Sequence, residues 1–106
     1  MRKYTALAII TLALFYVESC APKPFACFIV EPDEENIHVG DSITFRASCT
    51  TGADAYFWEF YDKDDSTEYG FLTTRKFYQP GEVKVFLLVT GSGKTSATSR
   101  YITVKP

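Results

Sequence analysis

A short acidic segment is the first place where this 106-residue chain could carry chemistry. Its carboxylates are Asp62, Asp64, Asp65 and Glu68. They could supply oxygen ligands to Ca²⁺ in a loop, but their spacing is not that of an EF-hand and Lys63 lies among them. A solvated acidic loop is the simpler interpretation, and calcium binding is kept as the alternative.

Catalytic and nucleotide-binding motifs are weak in this sequence. Residues 91–95 read Gly-Ser-Gly-Lys-Thr, like the end of a phosphate-binding loop, yet Leu88 occupies the position of the first required glycine. The segment is predicted to be a hairpin turn between two strands. His38 is the single histidine, and no nucleophile motif accompanies it, so no catalytic triad can be assembled. We predict no enzyme, no cofactor and no metal site.

The first residues have the pattern of a secretory signal peptide. Arg2 and Lys3 are followed by an uncharged apolar run over residues 6–17. A helix of twelve residues rises roughly 18 Å, which is short of the roughly 30 Å hydrocarbon core of a bilayer. The pattern therefore predicts a signal helix covering residues 1–19 that is cleaved on export.

The end of this segment resembles a bacterial lipobox. Val17 lies three residues before Cys20 and the small Ser19 directly before it, although Glu18 departs from the usual small or apolar residue. The resemblance implies that Cys20 becomes the lipidated N-terminus. An ordinary signal peptide cut elsewhere is the alternative.

The lipobox resemblance also implies a location. Ala21, rather than Asp, follows the cysteine, which by family rules implies the outer membrane. Residues 20–24 then form a lipid anchor with a short, stiff tether, and residues 25–106 form the domain. We expect membrane attachment through the N-terminal lipid, with the domain facing the periplasm.

The rest of the chain predicts strands and turns. Residues 56–62 alternate strictly around the single Trp58, and residues 83–89 alternate with valine and leucine on one side. No helical apolar repeat follows residue 20. Short strands with turn signals every 8–12 residues predict an all-β, immunoglobulin-like sandwich of about seven strands. The net charge of −2 has no basic stripe, which argues against a nucleic-acid partner.

Four segments of the domain resemble the PKD domain, a β-sandwich module named for polycystic kidney disease protein. They are Val39–Ser48, Tyr56–Phe60, Phe77–Leu87 and Tyr101–Val104. Residues 61–63 depart from the family's Gly-Asp-Gly, so the turn that follows Phe60 is expected to differ.

The two remaining cysteines are candidates for a disulfide. Export would place Cys27 and Cys49 in an oxidising compartment, where a bridge is favoured. The PKD resemblance turns Cys27 outward, whereas Cys49 shares the inward parity of Phe45. A bulge or a strand end would bring the sulfurs together, and two free thiols are the alternative.

Aromatic residues make up 16% of the chain, more than the core needs. On the sandwich interpretation Phe57, Tyr61 and Phe86 lie on outward parities of neighbouring strands. Such a strip could stack on sugar rings or bury against a protein, and the alternative is that the rings pack under loops. We favour a non-catalytic protein-interaction module at the cell envelope. A carbohydrate-binding lipoprotein and a structural component of an envelope complex are the alternatives.

Overall fold

A computed structural model describes residues 22–62 and 65–106 of the chain. The predicted signal peptide at 1–19, Cys20 and Asp64 lie outside these residues. Within them the chain forms strands and no helix, and so contains no apolar helix long enough to cross a bilayer. The strands are β1 (Ile29–Glu31), β2 (Ile37–His38), β3 (Ser42–Arg46), β4 (Ala55–Tyr61), β5 (Ser66–Tyr69), β6 (Leu72–Lys76), β7 (Gly81–Gly91) and β8 (Lys94–Lys105).

The strands form two sheets that pack face to face. One has the order β1-β3-β6 and the other the order β2-β8-β7-β4-β5. All pairings are antiparallel except that of β2 with β8. The chain crosses from the first sheet to the second between β1 and β2, at Pro32. This arrangement confirms the predicted all-β, immunoglobulin-like sandwich.

Two strand assignments differ from those predicted. No strand was predicted at Ile37–His38, which forms β2 because Ile37 is fully buried beside Val104 of β8. β5 begins at Ser66, inside the segment predicted to be a charged loop. Its pairing with β4 continues the sheet by one strand.

Trp58 lies at the centre of the core. Its side chain is 0% exposed, and its indole Nε1–H donates a hydrogen bond of 2.8 Å to the carbonyl oxygen of Gly70. The partner satisfies the polar end of a ring that is otherwise surrounded by apolar atoms. Four phenylalanines complete the aromatic cluster, each within 6.4 Å, centroid to centroid, of another member: Phe28, Phe45, Phe60 and Phe77.

Two arginines cover opposite sides of this cluster. The guanidinium of Arg75 lies 4.9 Å from the ring centroid of Phe60 and forms a 2.7 Å ion pair with Asp62. That of Arg100 lies 4.5 Å from the centroid of Phe28 and pairs with Glu34 at 2.9 Å. The cations contact ring faces while their charge is balanced at the surface, so the rings are shielded from water.

Cys27 and Cys49 are joined in a disulfide, with their Cα atoms 5.2 Å apart. Cys27 and Cys49 were predicted to face opposite sides of their sheet. They can still meet because β3 ends at Arg46 and Cys49 lies in the turn beyond it. Thr50 supports the bridge: its Oγ1 accepts a bond of 3.0 Å from the Cys27 N–H and donates one of 2.6 Å to the Cys27 carbonyl. The strand end is one of the two ways in which the sequence allowed the sulfurs to meet.

We predict that the double variant Cys27→Ser, Cys49→Ser unfolds more easily than the wild-type chain. Opening a loop of this length releases entropy to the unfolded state, which corresponds to a loss of about 3 kcal/mol in the free energy of unfolding. Denaturation followed by Trp58 fluorescence measures the difference. A reducing agent should destabilise the wild-type chain by a similar amount and leave the variant unaffected. Wild-type stability that is indifferent to reduction would contradict the prediction.

Candidate functional site

The two outer faces of the sandwich differ in chemistry. The three-stranded sheet presents a mainly polar surface in which side chains pair with one another. Arg46 Nε lies 3.2 Å from Glu31 Oε1, and the hydroxyls of Thr44 and Thr74 share a hydrogen bond of 3.0 Å. Polar groups that already have partners on the sheet offer little to a ligand, so this face is the weaker candidate for a binding surface.

The outer face of the five-stranded sheet gathers large apolar and aromatic side chains. We call this surface the aromatic face. The register places its members on three adjacent cross-strand rows. They are Phe57, Tyr61, Tyr69, Phe86, Leu88 and Tyr101. Strands β4 and β7 provide most of these side chains because their other parity is buried in the core.

Phe57 and Tyr69 form the first part of the aromatic face. They are directly opposite each other on β4 and β5, and their ring centroids lie 5.2 Å apart at an interplanar angle of 54°. Tyr69 is 75% exposed. Together with Leu88 they line a shallow apolar groove of about 90 Å³. The groove can hold one edge of a ligand but does not enclose one.

Tyr61 and Tyr101 form the second part. They flank Lys84 on one cross-strand row, so two strand spacings, roughly 10 Å, separate them. Lys84 Nζ lies 5.8 Å from the ring centroid of Tyr61, and the Tyr61 hydroxyl donates a hydrogen bond to Glu59. That hydrogen bond raises the pKa of Tyr61 above its usual value, because ionisation would break it beside a carboxylate. Tyr61 is therefore a neutral phenol across the physiological pH range.

All three residues predicted to form the binding strip lie on the aromatic face. Phe57 and Phe86 are half-buried, whereas Tyr61 is exposed. The structure adds Tyr69 and Tyr101, which the sequence analysis missed. Tyr101 could have been found, since it alternates with the buried Ile102. Tyr69 could not, because its position depends on the register of β5.

The other segments that the sequence marked as candidate sites have structural roles in the part of the chain that is described. Asp62 pairs with Arg75, and no group of three His, Cys, Asp or Glu side chains in residues 22–62 and 65–106 could hold a metal ion. Asp64 lies outside these ranges, so calcium binding stays the untested alternative to a solvated acidic loop. The Gly-Ser-Gly-Lys-Thr segment is the turn of the β7–β8 hairpin and the start of β8.

Comparison with known proteins identifies the fold. No family model matches the chain, and no curated protein matches it. A structure from work on the promiscuous specificity of carbohydrate-binding modules of the β-sandwich superfamily aligns with a TM-score of 0.67 and 30% identity. That alignment covers 79% of this chain and 35% of the other, so this chain spans about a third of its length.

A second solved structure is similar over its whole length. It is the PKD1 domain of the Vibrio cholerae metalloprotease PrtV, with a TM-score of 0.62 and 20% identity. The alignment covers 80% of this chain and 100% of that domain. The domain described here is therefore a PKD-like, immunoglobulin-like β-sandwich, as its motifs predicted.

Proposed function

We propose that this PKD-like β-sandwich is a non-catalytic binding module that holds a glycan on its aromatic face. The observation that carries the proposal is the segregation of the two outer faces. One face carries threonines, a closed ion pair and two aliphatic side chains, Ile29 and Leu72, whereas five aromatic rings and Leu88 lie on the other. The 30% identity with a structure from the carbohydrate-binding study supports the same ligand class.

The chemistry of the aromatic face suits sugars. The apolar C–H face of a pyranose packs on a flat aromatic ring, and tyrosines add hydroxyls that can bond the sugar's own hydroxyls. Lys84 and Glu59 lie between the rings, where they provide a hydrogen-bond donor and a hydrogen-bond acceptor. Because Tyr61 and Tyr101 are separated by two strand spacings, they would contact different sugar units of one polysaccharide. The surface therefore favours an extended polysaccharide over a single sugar.

The carboxylates and the shallow groove of the aromatic face favour binding of a glycan without its hydrolysis. Glycoside hydrolysis commonly needs two carboxyl groups on either side of the scissile bond. Glu59 and Asp65 line one open pocket beside Tyr61, and Glu59 already accepts a hydrogen bond from the Tyr61 hydroxyl. The groove beside Phe57 and Tyr69 is too shallow to exclude water from a reacting bond.

A protein partner is the second candidate, and it rests on a different observation. β5 lies at the edge of the five-stranded sheet, and its side chains are mostly exposed. An edge strand can pair with an extended segment of another chain through its free backbone groups. Binding of a protein in this way would depend on the backbone of Ser66–Tyr69 rather than on the rings of β4 and β8.

We further propose that the domain is attached to the outer membrane, facing the periplasm, through a lipid on Cys20. The basic start, the apolar run and the lipobox-like end support this attachment, and the disulfide suits an oxidising compartment. Labelled fatty acid should be incorporated into the wild-type chain and not into Cys20→Ser. Equal labelling of both chains, or of neither, would contradict the proposal.

We predict that Tyr69→Ala weakens binding to a recognised polysaccharide about tenfold, because one stacking contact contributes up to about 1.5 kcal/mol. Tyr101→Ala should weaken it to a similar extent. Calorimetric titration with a panel of soluble polysaccharides measures the affinities. Tyr78→Ala is the matched control, since Tyr78 is equally exposed but lies off the aromatic face.

Three outcomes of this titration decide between the candidate functions. Loss of affinity in the variants of the aromatic face, with Tyr78→Ala unchanged, supports the proposal. A chain that binds none of the polysaccharides contradicts it and leaves the protein partner as the better candidate. Equal loss in Tyr78→Ala and Tyr69→Ala would place the glycan elsewhere.

A further inference from the structure

The end of the sandwich at which the chain enters the domain carries five exposed large apolar side chains, and four others in the described residues lie toward the opposite end: Val39, Tyr61, Tyr78 and Tyr101. We call it the N-terminal end. Its exposed large apolar residues are Phe25, Ile29, Tyr69, Phe71 and Leu72. Backbone contacts place them together: Phe25 bridges Thr51, and the Ala47 N–H bonds the carbonyl of Phe71. Ile29, Arg46 and Leu72 share one cross-strand row at the same end.

The chain is fixed to this end from Pro24 onward. Pro24 is buried and packs close to Gly52. Phe25 exchanges two backbone hydrogen bonds with Thr51, at 3.0 and 3.1 Å. Four peptide units separate Cys20 from Pro24, and they can span at most about 14 Å. Whatever holds Cys20 at a membrane therefore holds the N-terminal end of the sandwich next to it.

Charge is distributed unevenly between the two ends. Asp41, Asp62, Asp65 and Glu82 lie at or beyond strand ends at the opposite end of the sandwich. Arg75, Lys76 and Lys105 lie at the same end and offset part of that negative charge. The N-terminal end has Lys23 before the domain and Lys94 at the β7–β8 turn, with Asp54 nearby. Anionic lipid headgroups attract cations and repel carboxylates, so they favour contact with the N-terminal end over contact with the acidic one.

We propose that the N-terminal end rests on the lipid surface, with the ring of Phe25 among the headgroups. The occupant of this apolar surface is the bilayer itself, and this inference rests on the proposed attachment at Cys20. An exposed aromatic ring next to a lipid anchor adds apolar burial to the acyl chains, and aromatic rings favour the interface between water and hydrocarbon. The strands then stand upright on the membrane, which leaves the aromatic face open to the side.

A fluorescent residue at each end tests this orientation. Phe25→Trp and Tyr78→Trp introduce an indole at positions that are 61% and 73% exposed, at the N-terminal and opposite ends respectively. The buried Trp58 gives the same background in both variants. The full chain, purified with its lipid, is reconstituted into vesicles of phosphatidylethanolamine and phosphatidylglycerol whose acyl chains carry bromine as a quencher. Flotation of the vesicles reports attachment separately.

We expect both variants to float, and bromolipid to remove about half of the emission added by Phe25→Trp while sparing that of Tyr78→Trp. Flotation without quenching at position 25, or with equal quenching at both positions, would overturn the docking and leave attachment intact. Failure to float would overturn attachment and docking together. Glycan binding is measured in solution and is independent of all three results.

Discussion

The structure depends on burying one indole between two sheets. Trp58 packs against Phe45 of β3 and against Phe28, which directly precedes β1, and its N–H is satisfied by the carbonyl of Gly70. Because side chains alternate along a strand, fixing Trp58 inward fixes Phe57, Glu59 and Tyr61 outward. A shift of one residue in β4 would exchange these two sets and expose the largest apolar side chain of the protein. The core and the candidate binding surface are thus set by the same choice of register.

The central strands transmit this register across the sheet. β7 pairs with β4 on one side and with β8 on the other, and its inward-facing side chains lie opposite inward-facing side chains of both neighbours. Phe86 and Tyr101 therefore fall on the same outer face as Phe57. The candidate binding surface arises here from the packing of the opposite side of the same strands. The outer face of the other sheet carries the aliphatic side chains of Ile29 and Leu72 beside Arg46, and its threonines bond to each other.

Sequence patterns predicted the parts of the fold that alternate strongly. The run around Trp58 and the valines of β7 predicted the sandwich, and with it the outward positions of Phe57, Tyr61 and Phe86. β2 was not predicted because two residues are too few to show the alternation of a strand. Ile37 is buried by its contact with a strand more than sixty residues away in the sequence. The start of β5 was not predicted because its residues are polar and its pairing with β4 is decided by the turn between them. Tyr69 was therefore not assigned to the binding strip.

The central claim is that the side of β4 opposite Trp58 is the binding surface, and nuclear magnetic resonance tests it most directly. Aromatic signals are followed while a soluble polysaccharide is added to the full chain. The account predicts that the rings of Phe57, Tyr69 and Tyr101 shift together, while the indole signal of Trp58 and the methyl signals of Thr44 and Thr74 stay in place. Shifts confined to Thr44 and Thr74 on the three-stranded sheet would contradict it.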